Sequence, residues 1–266
     1  MSVSYALPNT DRHAPELHTG LATLFDEDTI ARLTELGGGG GWAGARCLEF
    51  GAGAGSIAGW LADAVGPHGR VYATDLVVEQ IPAHPRLTVL RHDLRSDPLP
   101  AGVFDLIHGR RVLEHLPQRQ IILDRLVDKL AAGGTLLVEG GRALRTPDIV
   151  ISAPDPDARE LYLRYQRTVG QVFAGQGADP GWAPTMHRAF FERGLVDVRT
   201  RIRSGYWTGG DAGCRMLTAV QQMLRPKLIE AGMTDADLHA VTALLRDPRL
   251  VVRSHEIYAT SGQAAA

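Results

Sequence analysis

A run of glycines behind an acidic residue is the first feature of this sequence that could do chemistry. In the stretch LEFGAGAGS, Glu49 stands two residues before Gly51, and Gly53 and Gly55 follow at alternate positions. A glycine-rich turn between a strand and a helix lets a ligand approach the backbone closely and offers it free N–H groups. Such a turn could receive a dinucleotide, a nucleotide phosphate or a ligand with no phosphate at all.

The residues around the turn argue against the first two ligands. The dinucleotide fingerprint is GxGxxG, and Ser56 stands where its third glycine should be; no Gly-Lys-Ser/Thr follows, as a phosphate loop requires. Asp75 and Asp93 end later strand-like runs, and with Glu49 they would converge on one crevice at the carboxyl ends of parallel strands. Glu49 would repel a pyrophosphate but attract a cationic ligand with an amino group.

A regular alternation of strand-like and helix-like segments positions these residues. Short apolar runs predict strands at RCLEF, RVYATD, LTVLRHD, VFDLIHG, TLLVEG and LVDVRTRI. Amphipathic segments predict helices at SIAGWLADAVG, at MHRAFFERG, and from Pro117 through Leu130 to a stop at Gly133 and Gly134. The alternation predicts an α/β fold with a doubly wound, mostly parallel sheet.

Three parts of the chain fall outside this alternation. Residues 1–40 are predicted to form a helical arm that ends in a GGGG turn, and residues 41–266 to form the main domain. Within that domain, segments at about 146–182 and 206–247 carry prolines and additional helix candidates, and we expect them to be lids over a site. VVRSHEIYAT predicts the last strand, and the terminal SGQAAA is expected to fray.

Composition narrows the class of protein. A net charge of −2, with arginines interleaved among acids, argues against a nucleic-acid partner, which needs a concentrated basic face. Cys47 and Cys214 make no disulfide framework, and the histidines show no metal-ligand spacing. The N-terminus lacks a basic start followed by an apolar core, and no apolar run is long enough for a membrane span. We expect a cytoplasmic protein without metal, membrane or nucleic-acid partners.

The order of the motifs resembles that of the class I S-adenosylmethionine (SAM)-dependent methyltransferases, in their small-molecule, bacterial natural-product branch. The similarity covers roughly residues 46–139. EFGAGAG matches the first motif, ATDL the ribose-binding motif, RHDL the adenine-contacting motif, FDLIHGRRVLEHL the fourth-strand motif and LAAGGTLLVE the fifth strand. The resemblance implies a Rossmann-like, seven-stranded sheet with lid helices. It also implies methyl transfer from SAM, which leaves S-adenosylhomocysteine (SAH).

The resemblance assigns a cofactor contact to each motif. Glu49 would bind the amino group of SAM, Asp75 the two ribose hydroxyls and Asp93 the adenine N6 amino group. Leu76 and Leu94 would contact the adenine. The other implied cofactor-binding residues are Gly51, Ala52, Gly53 and Gly55 in the turn, and Gly109 and Arg110 at the methionine end.

Catalysis and acceptor binding are less closely defined by the motifs. Methyl transfer depends mainly on orientation, and a general base is needed only where the acceptor loses a proton. The candidates for that base are His108, His115, Glu139 and His187. The candidates for the acceptor pocket are the aromatic and soft apolar residues of the inserted segments: Tyr162, Tyr165, Phe173, Trp182, Met186, Tyr206 and Trp207.

These residues favour a hydrophobic small-molecule acceptor from secondary metabolism, methylated on oxygen in preference to nitrogen or carbon. The N-terminal arm, with Tyr5, Phe25 and Asp26, resembles the arm that covers SAM in related enzymes, sometimes across a homodimer. The Asn/Asp-Pro-Pro-Tyr/Phe signature of the amino-methyltransferases that act on DNA, RNA or protein glutamine is replaced here by HGRRVLEHL.

A second hypothesis stays open. In it, the fold holds SAM or SAH as a structural ligand and catalyses another step, such as a cyclisation, or acts as a non-catalytic partner. Glu49, Asp75 and Asp93 support SAM binding under both hypotheses and therefore do not separate them. The fold does not separate them either, because a fold does not determine a reaction. A dehydrogenase fits less well, given the missing third glycine and the presence of Asp93.

Overall fold

The computed structural model describes residues 7–143 and 146–266, which form an α/β fold. The helices of this part are α1 (Ala14–Gly37), α2 (Ser56–Ala64), α3 (Arg119–Val127), α4 (Pro156–Gly175), α5 (Met186–Phe191), α6 (Ala212–Glu230) and α7 (Asp235–Leu244). Its strands are β1 (Arg46–Phe50), β2 (Arg70–Asp75), β3 (Leu87–Arg91), β4 (Phe104–Arg110), β5 (Leu130–Arg142), β6 (Val150–Ser152), β7 (Val196–Arg203), β8 (Tyr206–Thr208), β9 (Val251–Arg253) and β10 (Glu256–Gln263). None of these helices is long and apolar enough to cross a membrane.

The central sheet confirms the predicted fold class. Its seven strands, all from the described residues, run in the order β3-β2-β1-β4-β5-β10-β7. Strand β1 pairs in parallel with both β2 and β4, and β2–β3 and β4–β5 are also parallel. The strand order reverses between β1 and β4. In open sheets of this kind, ligands bind outside the carboxyl ends of the strands at such a reversal.

Helices cover the sheet on both faces, because successive side chains of a strand point in opposite directions. On β1, Cys47 packs in a cluster with Ile57 and Leu61 of α2, and the next residue, Leu48, packs in another cluster with Ile122 of α3. All five side chains are almost fully buried. A strand buried on both faces reads as a continuous apolar run, which is how RCLEF reads in the sequence.

The chain divides into two compact units. The sheet unit contains residues 25–141, 181–202 and 257–266, and the helical unit contains the described residues up to 24 together with 142–180 and 203–256. In the helical unit, α4, α6 and α7 pack on one another around buried residues that include Tyr165 and Leu224, and a small sheet has the strand order β6-β9-β8. That small sheet was not predicted. The assignment of residues 146–182 and 206–247 as lids stays a prediction.

Two predicted elements near the end of the chain were wrong. VVRSHEIYAT does not form one strand: β9 belongs to the small sheet and β10 to the central sheet. The expected fraying of SGQAAA is also wrong for Ser261–Gln263, which complete β10. Ser261 is 2% exposed, and its hydroxyl accepts a hydrogen bond from Arg32 at 2.6 Å. This polar segment is therefore ordered, because a neighbouring strand and Arg32 satisfy its hydrogen-bonding groups.

A third difference concerns the segment after Pro117. Helix α3 ends at Val127, and Leu130 already belongs to β5. Gly133 and Gly134 do not end the helix; they lie within β5, where its register with β4 shifts between Phe104 and Leu106. Gly133 has φ +71°, a left-handed conformation that suits such an irregularity in a strand.

The close packing of β1 and β4 gives a stability prediction. A Cβ atom at Gly109 would lie 2.3 Å from the ring of Phe50, which is fully buried. We expect Gly109→Ala to lower the free energy of unfolding by about 1–3 kcal/mol, because overpacking forces neighbours to move. Gly59→Ala is the matched control: nothing lies within 4 Å of its Cβ position, in the middle of α2. Urea unfolding should show Gly59→Ala at or above wild-type stability, and equal stability of Gly109→Ala would contradict the prediction.

Candidate functional site

The glycine turn joins β1 to α2 and depends on a backbone that only glycine adopts easily. Gly51, Gly53 and Gly55 have φ values of +65°, +57° and +81°. A Cβ at Gly51 would also lie 2.2 Å from Cγ2 of Val112, in the segment that follows β4. The turn is therefore fixed by backbone conformation and by contact with the end of β4. Ser56 is the first residue of α2, so no glycine is needed there for the turn.

Asp75 ends β2 and holds the turn in place. Its Oδ2 accepts a hydrogen bond from the N–H of Gly53 at 2.8 Å, and its Oδ1 accepts from the N–H of Val77 at 3.1 Å. The Asp75 carboxylate thereby ties the glycine turn to the end of β2. The neighbouring Leu76 leaves 41% of its surface exposed, an apolar patch beside a carboxylate.

Asp93 follows β3 and is fixed by an arginine. Arg95 contacts both carboxylate oxygens, with Nε 2.9 Å from Oδ1 and Nη2 2.8 Å from Oδ2. Hydrogen bonding to Arg95 lowers the pKa of Asp93, so its carboxylate is ionised. The neighbouring Leu94 is buried in the core of the sheet unit. The structure thus brings Glu49, Asp75 and Asp93 to the carboxyl ends of three adjacent strands, as predicted from the sequence.

A buried imidazole links β1, β4 and β5 at the same edge of the sheet. His108 Nδ1 lies 2.6 Å from Glu49 Oε2, and His108 Nε2 lies 3.3 Å from Glu139 Oε2. The histidine is fully buried, and both carboxylates are under 5% exposed. The strand register produces these contacts. Glu49 lies directly opposite His108, and Glu139 is two residues beyond Leu137, the partner of His108 on β5.

Helix α1 is attached to this group by two side chains. The Thr29 hydroxyl lies 2.6 Å from Glu139 Oε2 and accepts a hydrogen bond from Arg110 Nη1 at 2.9 Å. Arg110 also pairs with Asp26 at 2.6 Å. Asp26 and Thr29 are three residues apart and therefore share a face of the helix. We name the connected residues Asp26, Thr29, Glu49, His108, Arg110 and Glu139 the acid–imidazole network.

The carboxylates control the ionisation of His108. Burial alone would lower its pKa, but Glu49 and Glu139 outweigh burial and raise the pKa of His108 to about 9. For Glu139, burial acts to raise the pKa, and the contacts with His108, Arg110 and Thr29 reverse this, so its pKa lies below its usual value. A carboxylate with a low pKa and these partners is a weak proton acceptor.

The two other predicted base candidates lie elsewhere. His115 is in a 3-10 turn after β4, and burial lowers its pKa to about 4, so it is uncharged and weakly basic at neutral pH. His187 lies on α5, and its Nδ1 is 3.1 Å from the Thr200 hydroxyl of the edge strand β7. The structure therefore joins Glu139 to Glu49 through His108 and does not bring His187 to the same strand ends.

The predicted acceptor residues are divided between the units. Trp182 and Met186 lie in the core of the sheet unit, 2% and 0% exposed. In the helical unit, Tyr162 and Tyr165 are buried on α4, Phe173 is half-buried, Tyr206 is exposed, and Trp207 packs against His255 with ring centres 5.1 Å apart. Tyr5 lies outside the described residues.

Sequence reasoning missed a polar cluster at the ends of β4 and β5. Arg111 has φ +60°, and its Nε lies 3.3 Å from Oε1 of Glu114, which also accepts from the N–H of Gly141 at 3.0 Å. Arg111 Nη1, Glu114 Oε2 and Trp182 Nε1 are buried without a hydrogen-bond partner within residues 7–143 and 146–266. The available sequence signal was an arginine and a glutamate three residues apart directly after a predicted strand, but HGRRVLEHL shows no periodicity that reveals their contact.

Part of this chain is similar to known methyltransferases. Residues 48–136 match a family model described as a methyltransferase domain. Methyltransferase str3 of Strobilurus tenacellus is 33% identical over 144 residues, which cover 51% of this chain and 48% of that protein. Methyltransferase str2 of the same organism is 38% identical over 100 residues, which cover 35% of this chain and 34% of that protein. The matched region spans about half or less of these curated relatives.

A solved structure gives the same fold. Phosphoethanolamine N-methyltransferase 2 of Haemonchus contortus superposes with a TM-score of 0.61 at 13% identity, covering 100% of this chain and 61% of that one. Residues 48–136 therefore match a methyltransferase domain, in agreement with the resemblance of the motifs, and the fold of the chain is the one that this N-methyltransferase has. The Haemonchus contortus protein is in complex with S-adenosylhomocysteine in that structure.

The charge of His108 predicts how stability depends on pH. The folded-state pKa of about 9 lies above the unfolded value of about 6.5, so the stabilisation is complete below about pH 6.5 and is lost as pH rises toward 9. Thermal melts without ligand should therefore show wild type losing stability relative to His108→Gln between about pH 7 and 10. His92→Gln is a matched control, since His92 is buried against the Pro98 carbonyl. Parallel melting curves for wild type and His108→Gln would contradict the prediction.

Proposed function

We propose that this chain is a SAM-dependent methyltransferase that transfers a methyl group to an oxygen atom of a hydrophobic small molecule and releases SAH. One observation carries the proposal: Glu49, Asp75 and Asp93 lie at or just beyond the carboxyl ends of three adjacent strands, around a left-handed glycine turn. Acids at this edge suit a ligand with ammonium, hydroxyl and amino donors better than a pyrophosphate.

The side chains of the site fit such a ligand. Asp75 carries two acceptor oxygens on one planar group, which suits two vicinal ribose hydroxyls, and exposed Leu76 offers an apolar surface for the adenine. Asp93 is ionised and oriented by Arg95, which suits acceptance of a hydrogen bond from the adenine amino group. The backbone of the turn has no Cβ at Gly51, Gly53 or Gly55, so it can lie against the methionine part, flanked by Ala52, Gly109 and Arg110.

The chemistry requires the protein mainly to orient the acceptor. When bound, SAM supplies a methyl group on a sulfonium, which is already a good leaving group. Alignment of the acceptor oxygen with that methyl group can contribute on the order of 7–11 kcal/mol. Glu139 and His115 are buried and weakly basic, which supports orientation over proton abstraction as their contribution.

The acceptor end of the site is proposed at the ends of β4 and β5. Arg111 Nη1, Glu114 Oε2 and Trp182 Nε1 lack partners among the described residues, and an unpaired buried polar atom costs about 1–3 kcal/mol. A hydroxyl group both accepts and donates a hydrogen bond, so it could satisfy Arg111 and Glu114 together. The apolar residues Trp182 and Met186 support a hydrophobic, natural-product-like acceptor. A homodimer through the N-terminal arm and a cytoplasmic location stay predictions.

Calorimetric titration with SAM, SAH and NAD tests the proposal. We expect SAM and SAH to bind and NAD to give no heat. Asp75→Ala should weaken SAM binding about 10- to 100-fold, because each hydrogen bond to a charged group contributes about 1.5–3 kcal/mol. Asp63→Ala is the matched control, since Asp63 is an exposed acid that pairs with His84 and Arg86.

The outcomes separate the alternatives. Unchanged SAM affinity in Asp75→Ala would mean that the ribose site is wrong, and heat from NAD alone would favour a dehydrogenase. A third outcome is that SAM binds, no SAH forms with a panel of phenols and alcohols, and another reaction occurs. That outcome would support the second hypothesis, in which SAM is a structural ligand. Formation of SAH together with a methyl ether would support O-methylation directly.

A further inference from the structure

We propose that His108 is a positioning residue for the cofactor: a buried cation that holds Glu49 ready for the amino group of SAM and ties it, through Glu139, to helix α1. The inference rests on the proposed function, and specifically on Glu49 as the ligand of that amino group. It goes beyond that function because it assigns a role to a histidine between two carboxylates and to two side chains of α1.

The hydrogen-bond geometry favours a positive charge on the ring when both carboxylates are ionised. Both ring nitrogens of His108 face carboxylate oxygens, at 2.6 Å and 3.3 Å. A neutral imidazole has a single N–H, so one of its nitrogens would present a lone pair to an anion. The imidazolium donates from both nitrogens. Glu139 Oε2 also lies 2.6 Å from the Thr29 hydroxyl, which Arg110 in turn contacts, so this carboxylate is already well supplied with donors in its ionised form.

Removal of that cation would change Glu49 before any ligand arrives. Glu49 is 4% exposed, and a buried carboxylate without a counter-charge costs several kcal/mol. Without His108, Glu49 would lose the contact that orients it and would turn away, so it would no longer form an ion pair with an ammonium group. His108 contacts Oε2 of Glu49, which leaves Oε1 for the ligand. His108 therefore holds the Glu49 carboxylate in place before the ligand binds.

The charges of the acid–imidazole network also match the ligand. Asp26, Glu49 and Glu139 are three carboxylates, and His108 and Arg110 are two cations, which leaves one net negative charge. SAM carries a sulfonium, an ammonium and a carboxylate, and therefore one net positive charge. A neutral His108 would leave two uncompensated negative charges in a buried place, which is far less favourable without ligand.

The same network connects the cofactor carboxylate to α1. Thr29 bridges Arg110 and Glu139, and Asp26 pairs with Arg110, so one face of the helix is bonded to β4 and β5. Loss of the Thr29 hydroxyl removes a partner of Glu139, and through Glu139 it loosens His108. We therefore expect a change on α1 to reach the amino-group site without touching the ligand.

The test compares two ligands that differ at the amino acid part. SAH carries the ammonium group, whereas 5′-methylthioadenosine has the same adenosine but no amino acid. We expect His108→Gln to bind SAH at least tenfold more weakly than wild type and to bind 5′-methylthioadenosine within about twofold of wild type. Thr29→Val should weaken SAH binding in the same selective way by about threefold or more. Thr34→Val is its control, because Thr34 is exposed on α1 and its hydroxyl donates to the Ile30 carbonyl of the same helix.

Each result decides the inference. Selective loss of SAH binding supports it; unchanged SAH affinity, or equal loss of both ligands in a folded His108→Gln, overturns it. If His108→Gln does not fold, the comparison of Thr29→Val with Thr34→Val decides. Selective loss of SAH binding in Thr29→Val supports the inference, and equal SAH affinity of the two variants overturns it. Nitrogen NMR of the histidine rings gives a readout without ligand: two protonated nitrogens on His108 at neutral pH are expected, and a neutral tautomer overturns the inference. Absence of SAH binding in wild type would overturn the proposed function as well.

Discussion

The contact of His108 with Glu49 and Glu139 is the interaction on which the candidate site depends. Three neighbouring strands each contribute one of these buried groups, so the ion pairs form only if β1, β4 and β5 lie in this order and register. A slip of one residue would turn a carboxylate to the other face of the sheet, where it would meet the apolar core. The charge pairing and the strand order therefore depend on each other.

The glycine turn imposes a second constraint next to the first. Three left-handed glycines bring the chain from β1 into α2, and Asp75 fixes the turn by accepting from Gly53. Asp75 thereby shapes the surface of the site at the end of β2. Val112 closes against Gly51 from the end of β4, so the turn and the polar cluster after β4 are neighbours. Cofactor and acceptor contacts can then be set by one rigid edge of the sheet.

The ionisation of the buried groups favours a site that orients rather than one that removes protons. Glu139 is held as an anion by His108, and His115 is kept neutral by burial, so the two are stable in states with little proton affinity. Methyl transfer from a sulfonium tolerates this, because its main requirement is alignment. In the proposed function, the fixed charges of the acid–imidazole network and the apolar core would supply that alignment without rearrangement during the reaction.

The sequence by itself determined the alternating elements, the parallel sheet, the glycine turn and the three acids at strand ends, because these follow from local periodicity and turn chemistry. It did not determine that His108 bridges Glu49 and Glu139, that Thr29 reaches them from α1, or that Ser261 is buried in β10. Those contacts join residues separated by up to 229 positions along the chain. Only the tertiary structure decided them, since strand order and register, not local pattern, select which side chains share a buried space.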